Sequence, residues 1–230
     1  MSYSYEYAVP AAEALPAERA AFIRRTYGHL AGAILAFIGI EAVLLRLPGI
    51  DRIAIGMMSS WWLLLVAFMG VAWLADYWAR SDTSRGLQYV GLSVYVLAEA
   101  AIFLPLLYIA ETYAPKAIGT AGIITGAMFA GLTGVVFITR SDFSFLRTTL
   151  MIGGMVALGL IFAGMLLGFT LGLWFSFAMV TLACGFILYD TSNVLHHYRT
   201  DQHVAAALAL FASVALLFWY VLRIVMSSRD

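Results

Sequence analysis

Lysine and cysteine are almost missing from this sequence. Each occurs once in 230 residues, at Lys116 and Cys184, and charged residues of all kinds make up only 11%. A single cysteine leaves no intrachain disulfide and says nothing of redox compartment. The single lysine falls in a loop between apolar runs, which excludes a Schiff base inside a helix and with it a retinal protein. Formal net charge is zero, so no global field favours nucleic acid or an acidic partner. Long polar intervals are absent beyond the N-terminal stretch, which leaves no room for a second domain.

What remains is apolar. Hydrophobic residues make up 63% of the chain and mean hydropathy is +0.92, values of a polytopic membrane protein rather than a soluble domain. A span needs about 20 apolar residues to cross roughly 30 Å of hydrocarbon. On that rule the sequence predicts an all-α bundle of seven transmembrane helices over Tyr27–Leu47, Ile53–Ala75, Leu87–Tyr108, Ala117–Ile138, Leu150–Leu167, Leu171–His196 and Val204–Met226. The fifth and sixth are separated only by Gly168, Phe169 and Thr170. Residues 1–26 read as a cytoplasmic N-terminal tail without a cleavable leader, 27–226 as one transmembrane domain, and 227–230 as a C-terminal tail. With the N-terminus in the cytoplasm, eight of thirteen Lys and Arg lie in inside segments, including Arg19, Arg24 and Arg25 before the first span. That bias predicts N-inside, C-outside.

Several features read as packing. Gly122 and Gly126, with Gly119 and Gly134 nearby, have the spacing of a close helix contact. Trp61, Trp62, Trp73, Tyr77, Trp78, Tyr108 and Tyr113 sit at predicted span ends, where aromatic side chains anchor at the interface. Pro105 removes a backbone hydrogen bond inside the third span and bends it. The segment Asp76–Arg85 reads as a cytoplasmic loop.

Ionisable residues inside the membrane cost several kcal/mol, on the order of 3 or more at mid-bilayer, and are therefore the functional pointers. Glu41 lies late in the first span, close enough to the outer surface for water to reach. Arg223 sits within a turn of Met226, so its guanidinium can snorkel outward. Glu99, in YVLAEAAIFLPLL, is about 18 Å deep at 1.5 Å per residue and must face the bundle interior. The richest stretch is GFILYDTSNVLHHY, Gly185 to Tyr198. Asp190 lies about 10 Å inside the helix end, and Asn193 and His197 follow at i+3 and i+7 on the same face. A polar stripe leading from the cytoplasm to a desolvated carboxylate has the physics of a proton-responsive or cation-responsive group, because burial penalises its ionised form unless a cation or donor compensates.

GFILYDTSNVLHHY, followed by VAAALALF and FWYVLRIV, resembles the last two helices of the Bax inhibitor-1 superfamily. FIRRTYGHLAGAILAF resembles the start of that family's first helix, AEAAIFLPLLY its third-helix Glu-to-Pro segment, and SDFSFL the loop before its fifth helix. The resemblance runs from about Phe22 to Asp230. It implies a compact seven-helix protein of the bacterial inner membrane with the last helix central, enclosed by six others. In some members it also implies a pH-sensitive calcium leak, in which the aspartate matching Asp190 pairs with a second aspartate on the last helix, assisted by an arginine on the second. Alignment on Arg223 puts Ser213 at the second aspartate and Leu216 where an asparagine is common, and no Arg or Lys occurs between Ile53 and Ala75. Asp190 and Ser213 flank Thr200 at similar separations, so an antiparallel pair brings them level. A latch of two carboxylates sharing a proton cannot operate with one carboxylate. Serine at this position also resembles bacterial members linked to a membrane-anchored AAA protease that grips the cytoplasmic tail.

Enzymatic readings fare poorly. Tyr189-Asp190 resembles half of a presenilin-type aspartyl protease pair, yet the chemistry needs a second in-membrane aspartate, and Asp51, Asp76, Asp82, Asp142, Asp201 and Asp230 all fall in predicted loops or span ends. No GxSxG or Ser-His arrangement suggests a rhomboid-like enzyme. His196, His197, Asp201 and His203 are metal-ligand types, but neighbouring histidines on a helix point about 100° apart. The expectation is therefore a non-enzyme without cofactor or bound metal, its partner the lipid bilayer. It is either a cation leak, with calcium as the transported ion, Asp190 as its ion-facing carboxylate and Glu99 as a relay, or a regulator acting through protein contacts.

Overall fold

The computed structural model describes residues 9–81 and 84–228. The first eight residues of the expected tail, Asp82, and Arg229 and Asp230 lie outside the described residues. The described chain forms eight helices: α1 Pro16–Leu44, α2 Ile50–Ser59, α3 Trp61–Ala79, α4 Arg85–Tyr113, α5 Pro115–Thr139, α6 Leu146–Leu167, α7 Gly172–His196 and α8 His203–Ser227. Seven of them, all but α2, are long and apolar enough to cross a membrane. The chain is a multi-pass, all-α membrane protein.

Local chemistry sets the boundaries. Pro16 opens α1 and Glu18 lies in its first turn, a position where proline loses no needed N–H and a carboxylate meets the positive end of the helix. The first helix thus starts well before Tyr27, and much of the expected tail is helical. Ser84 caps α4 by accepting the Leu87 N–H at 3.4 Å. The short break between the fifth and sixth expected spans is real: Gly168, with φ +74°, stops α6 in a left-handed conformation that a side chain would resist.

The second expected span needs correction. It does not run unbroken over Ile53–Ala75. Gly56, Ser59 and Ser60 interrupt it, with the Ser59 hydroxyl donating to the Gly56 carbonyl at 2.7 Å, a type of Gly/Ser site at which helices break. Residues 50–59 form the separate α2, and the spanning helix starts at Trp61 and runs on to Ala79 with Arg80 as its C-cap. Asp76 and Arg80 therefore belong to the end of a helix rather than to a loop, joined by bonds of 2.8 and 2.9 Å from Arg80 Nε to the Asp76 carboxylate.

Helix α8 is the centre. Val204, Ala206, Ala207, Leu210, Leu217 and Leu222 are fully buried, and α8 packs against α1, α3, α4, α5 and α7. Five spans rather than six make its main enclosure: α6 lies along α7 and joins the centre through a small satellite core of Ala157, Met179 and Tyr220. The glycine spacing on α5 misled. Nothing stands within 4 Å of a Cβ built on Gly119, Gly122, Gly126 or Gly134, and the face of α5 that packs carries Ala117, Ala121 and Thr125 at the same spacing in another register. The close backbone approach is at Gly91 of α4, where a Cβ would lie 2.5 Å from the Ala75 carbonyl oxygen and 2.6 Å from the Ala79 nitrogen of α3. Trp61 is likewise no lipid anchor; it stacks on Trp219 at 5.6 Å, while Trp62, Trp73, Tyr77 and Tyr113 are exposed.

Before α1 the chain forms a strap across the α7–α8 loop. Ala11 N–H donates to the Tyr198 carbonyl at 2.8 Å and Thr200 N–H to the Val9 carbonyl at 3.2 Å, an antiparallel bridge between Pro10 and Arg199. Ala11 is fully buried, and Arg19 Nη2 donates to the Leu195 carbonyl at 3.3 Å.

Candidate functional site

Antiparallel α7 and α8 carry Asp190 and Ser213 to the same level. The Ser213 hydroxyl donates to Asp190 Oδ2 at 2.6 Å, a charge-assisted bond of the short class when the carboxylate is ionised. Both residues are buried, Asp190 at 8% and Ser213 at 5% exposure. Towards the strap end, Arg80 and Asp76 lie close enough to act on Asp190 electrostatically. Tyr198, buried below them, lies close enough to Arg80 for the two side chains to act on one another. Burial pushes the Tyr198 phenol up to about 12, against the pull of Arg80, and the bond to Asp76 pushes the Arg80 guanidinium above its ordinary value. Arg80 is the residue that sequence reasoning missed. Its signal was available: the apolar run Trp73-Leu74-Ala75 resumes as Tyr77-Trp78-Ala79, and Asp76 and Arg80 stand at i,i+4 on that extra turn.

On the far side of Ser213 lies a cavity of about 790 Å³ bounded by α3, α4, α6, α7 and α8. Glu99 and Ser213 line its inner end, with Tyr95 one turn before Glu99 and within hydrogen-bonding reach of it. Glu99 is 5% exposed. At the other end stands Arg223, half-buried, its guanidinium 5.9 Å from the centre of the Tyr220 ring. Arg223 thus lines the cavity wall instead of simply snorkelling to the surface.

Asn193 and His197 do not extend the Asp190 contact. His197 Nε2 meets Asp142 Oδ2 at 3.1 Å in the loop between α5 and α6, and Asn193 is half-buried, its backbone carbonyl accepting the His197 and Tyr198 N–H groups. Ser192 joins this cluster, accepting the Phe143 N–H at 2.9 Å and donating to Asp142 Oδ1 at 3.2 Å. The order is Ser–Asp–His, so the imidazole never touches the hydroxyl it would have to deprotonate in a nucleophilic triad. The cluster ties the α5–α6 loop to the end of α7. The Ser144 backbone N–H, with help from His197, holds the Asp142 carboxyl down at about 2. His203 turns away, its ring 5.0 Å from that of His29, so the histidines at this end do not converge. Among the described residues no group of three or more His, Cys, Asp or Glu side chains is arranged to hold a metal.

Glu41 departs from expectation. It is 4% exposed and neither carboxylate oxygen has a hydrogen-bond partner, because α1 turns this face onto α4 and α8 and not towards water.

Comparison with known proteins places these features in context. The family model described as inhibitor of apoptosis-promoting Bax1 matches residues 19–230. An uncharacterized protein of Pseudomonas aeruginosa is 27% identical over 228 residues, 95% of either chain. The Golgi anti-apoptotic protein of vaccinia virus (strain Lister) is 27% identical over 225 residues, 96% of this chain and 91% of its own. Mouse protein lifeguard 4 is 33% identical over 107 residues, 45% of this chain and 44% of its own.

Proposed function

The chain belongs to the Bax inhibitor-1 family, and from that premise we propose that it is a passive, pH-sensitive cation leak of the bacterial inner membrane, with calcium as the transported ion. Asp190 is its ion-facing carboxylate, Ser213 the donor that holds it, and Glu99 a relay on the cavity side. The N-terminus is cytoplasmic and the C-terminus outside; no catalysis or cofactor enters. The observation that carries the reading is the cavity of about 790 Å³ that ends on Glu99 and Ser213, with Ser213 donating directly to Asp190. An ion arriving through it meets Glu99 first. Beyond Ser213 it meets Asp190, with the Asp76, Arg80 and Tyr198 groups further towards the strap end. Arg80 is placed to supply the cation that the resemblance expects from the second helix. In calcium-loaded proteoliposomes, Asp190→Asn is expected to lower flux about tenfold, roughly the worth of one charge-assisted contact. Equal flux from the two proteins would overturn the proposal.

A second reading rests on the strap. In it the protein regulates, or is turned over by, a membrane-anchored AAA protease that grips the tail. Residues 9–11 are held by the α7–α8 loop, so a protease pulling the tail would act on the loop next to the Asp190 site. Deletion of residues 2–20 is expected to slow turnover by such a protease several-fold, and unchanged turnover together with no co-purification would sink this reading.

A further inference from the structure

The same cavity has a second chemistry that ion passage does not use. Its polar groups gather at two ends, Arg223 at one and Glu99 with Ser213 at the other, and the wall between is apolar, formed by residues such as Phe68, Ile102, Leu158, Ile161 and Leu216. Ten residues of α8 separate Ser213 from Arg223, a depth of about 15 Å at 1.5 Å per residue. That is half of a hydrocarbon core of roughly 30 Å, the reach of one acyl chain in one leaflet. The cavity also reaches the flank of the bundle: Met69 of α3 and Phe169 after α6 line it and remain exposed on the lipid-facing surface. Helix α6 leans on α7, so the seam between α3 and α6 is a side door into the bilayer.

Arg223 decides what the door admits. Among the described residues no carboxylate lies within ion-pair distance of it, and its one charge contact is the face of Tyr220. A guanidinium with no counterion among the described residues, at the rim of an apolar slot, fits a phosphate, which it binds with paired N–H donors. We propose that the cleft is a binding site for one anionic phospholipid of the leaflet at the α6–α7 loop end, one acyl chain lying in the slot and the phosphate on Arg223. The volume falls within the roughly 300–1,000 Å³ range of sites that enclose a small ligand. The inference does not rest on the leak, since it is read by binding alone; a lipid so placed would also obstruct the path to Glu99.

The test uses the full chain purified in neutral detergent, with bound lipid counted by native mass spectrometry during titration with phosphatidylglycerol or phosphatidylcholine of identical chains. One phosphatidylglycerol per protein should be retained at concentrations where phosphatidylcholine is lost. Arg223→Gln should weaken retention about fivefold, as expected for one basic group near a lipid surface, and Arg223→Lys, which keeps the charge but loses the paired donors, should fall between Arg223→Gln and the wild type. Leu158→Trp, which fills the slot without touching Arg223, should weaken retention of phosphatidylglycerol too. Each variant is first required to elute as the parent protein does. Equal retention of both lipids, or wild-type retention in Arg223→Gln, would overturn the proposal. So would an unchanged Leu158→Trp, which would mean a headgroup site with no chain in the slot, or displacement of the lipid by inorganic phosphate, which would mean a free-phosphate site.

Discussion

Gly91→Ala is expected to destabilise the protein by about 3 kcal/mol, and Gly91→Leu to leave no folded protein. A Cβ at this position would stand 2.5 and 2.6 Å from backbone atoms of α3, and 3.1 Å from the Trp78 Cβ. Overpacking that a flexible side chain can absorb costs about 1–3 kcal/mol; here the obstacles are a carbonyl oxygen and an amide nitrogen inside a helix, so α3 itself must move. The part displaced is the turn Ala75–Ala79, which carries Asp76 and positions Arg80, so Gly91→Ala should also disturb the strap-end side of Asp190. Gly122→Ala is the internal control. Its Cβ meets nothing within 4 Å, and replacing an interior helical glycine by alanine gains about 0.5–1 kcal/mol. Thermal unfolding followed by tryptophan fluorescence separates the two. If Gly91→Ala melts with Gly122→Ala, the close approach of α3 and α4 is not a tight one.

Ser213→Ala is expected to cost about 2–3 kcal/mol. The 2.6 Å bond is the hydrogen bond the structure assigns to the Asp190 side chain, hydrogen bonds to charged groups are worth about 1.5–3 kcal/mol, and a carboxylate at 8% exposure has little water to replace the donor. Ser213→Thr keeps the hydroxyl and should cost less. The cycle with Asp190→Asn tests the cause: if the penalty is that of an abandoned carboxylate, Asp190→Asn with Ser213→Ala should lose less than the sum of the two single changes. Strict additivity would show that the two side chains are not coupled. Because one carboxylate stands here where the resemblance expects two, any pH response routed through this pair involves one proton and not a shared one.

The seven spans and the contact of Asp190 with Ser213 are legible in the sequence because each depends on length and counting, whereas the central last helix is legible only through the family resemblance. Apolar runs have the length the bilayer demands, and two residues about 10 and 13 positions from a tight connection come to a similar level in an antiparallel pair. What the sequence conceals depends on rotation and termination. The Gly122 and Gly126 spacing is the right period in the wrong register, since Ala117, Ala121 and Thr125 satisfy the same rule one face over. Glu41 is near the end of a span, but nearness to an end does not say which side of α1 faces protein. Arg80 was hidden by an error of four residues in where α3 stops, one turn of helix that sets a charged pair, itself still partly exposed, beside the site.

The bridge between Pro10 and Arg199 bears on the order of assembly. The strap and the loop that receives it are separated by almost the whole chain. Translation at about 5–20 residues per second therefore leaves roughly 10–40 s between the appearance of one and of the other. During that time the region around Ala11 has no backbone partner to bury it, and the Asp190 site, which α7 and α8 themselves build, is not yet formed. Closing this end is thus a late step in biogenesis, completed only when the chain is almost fully made.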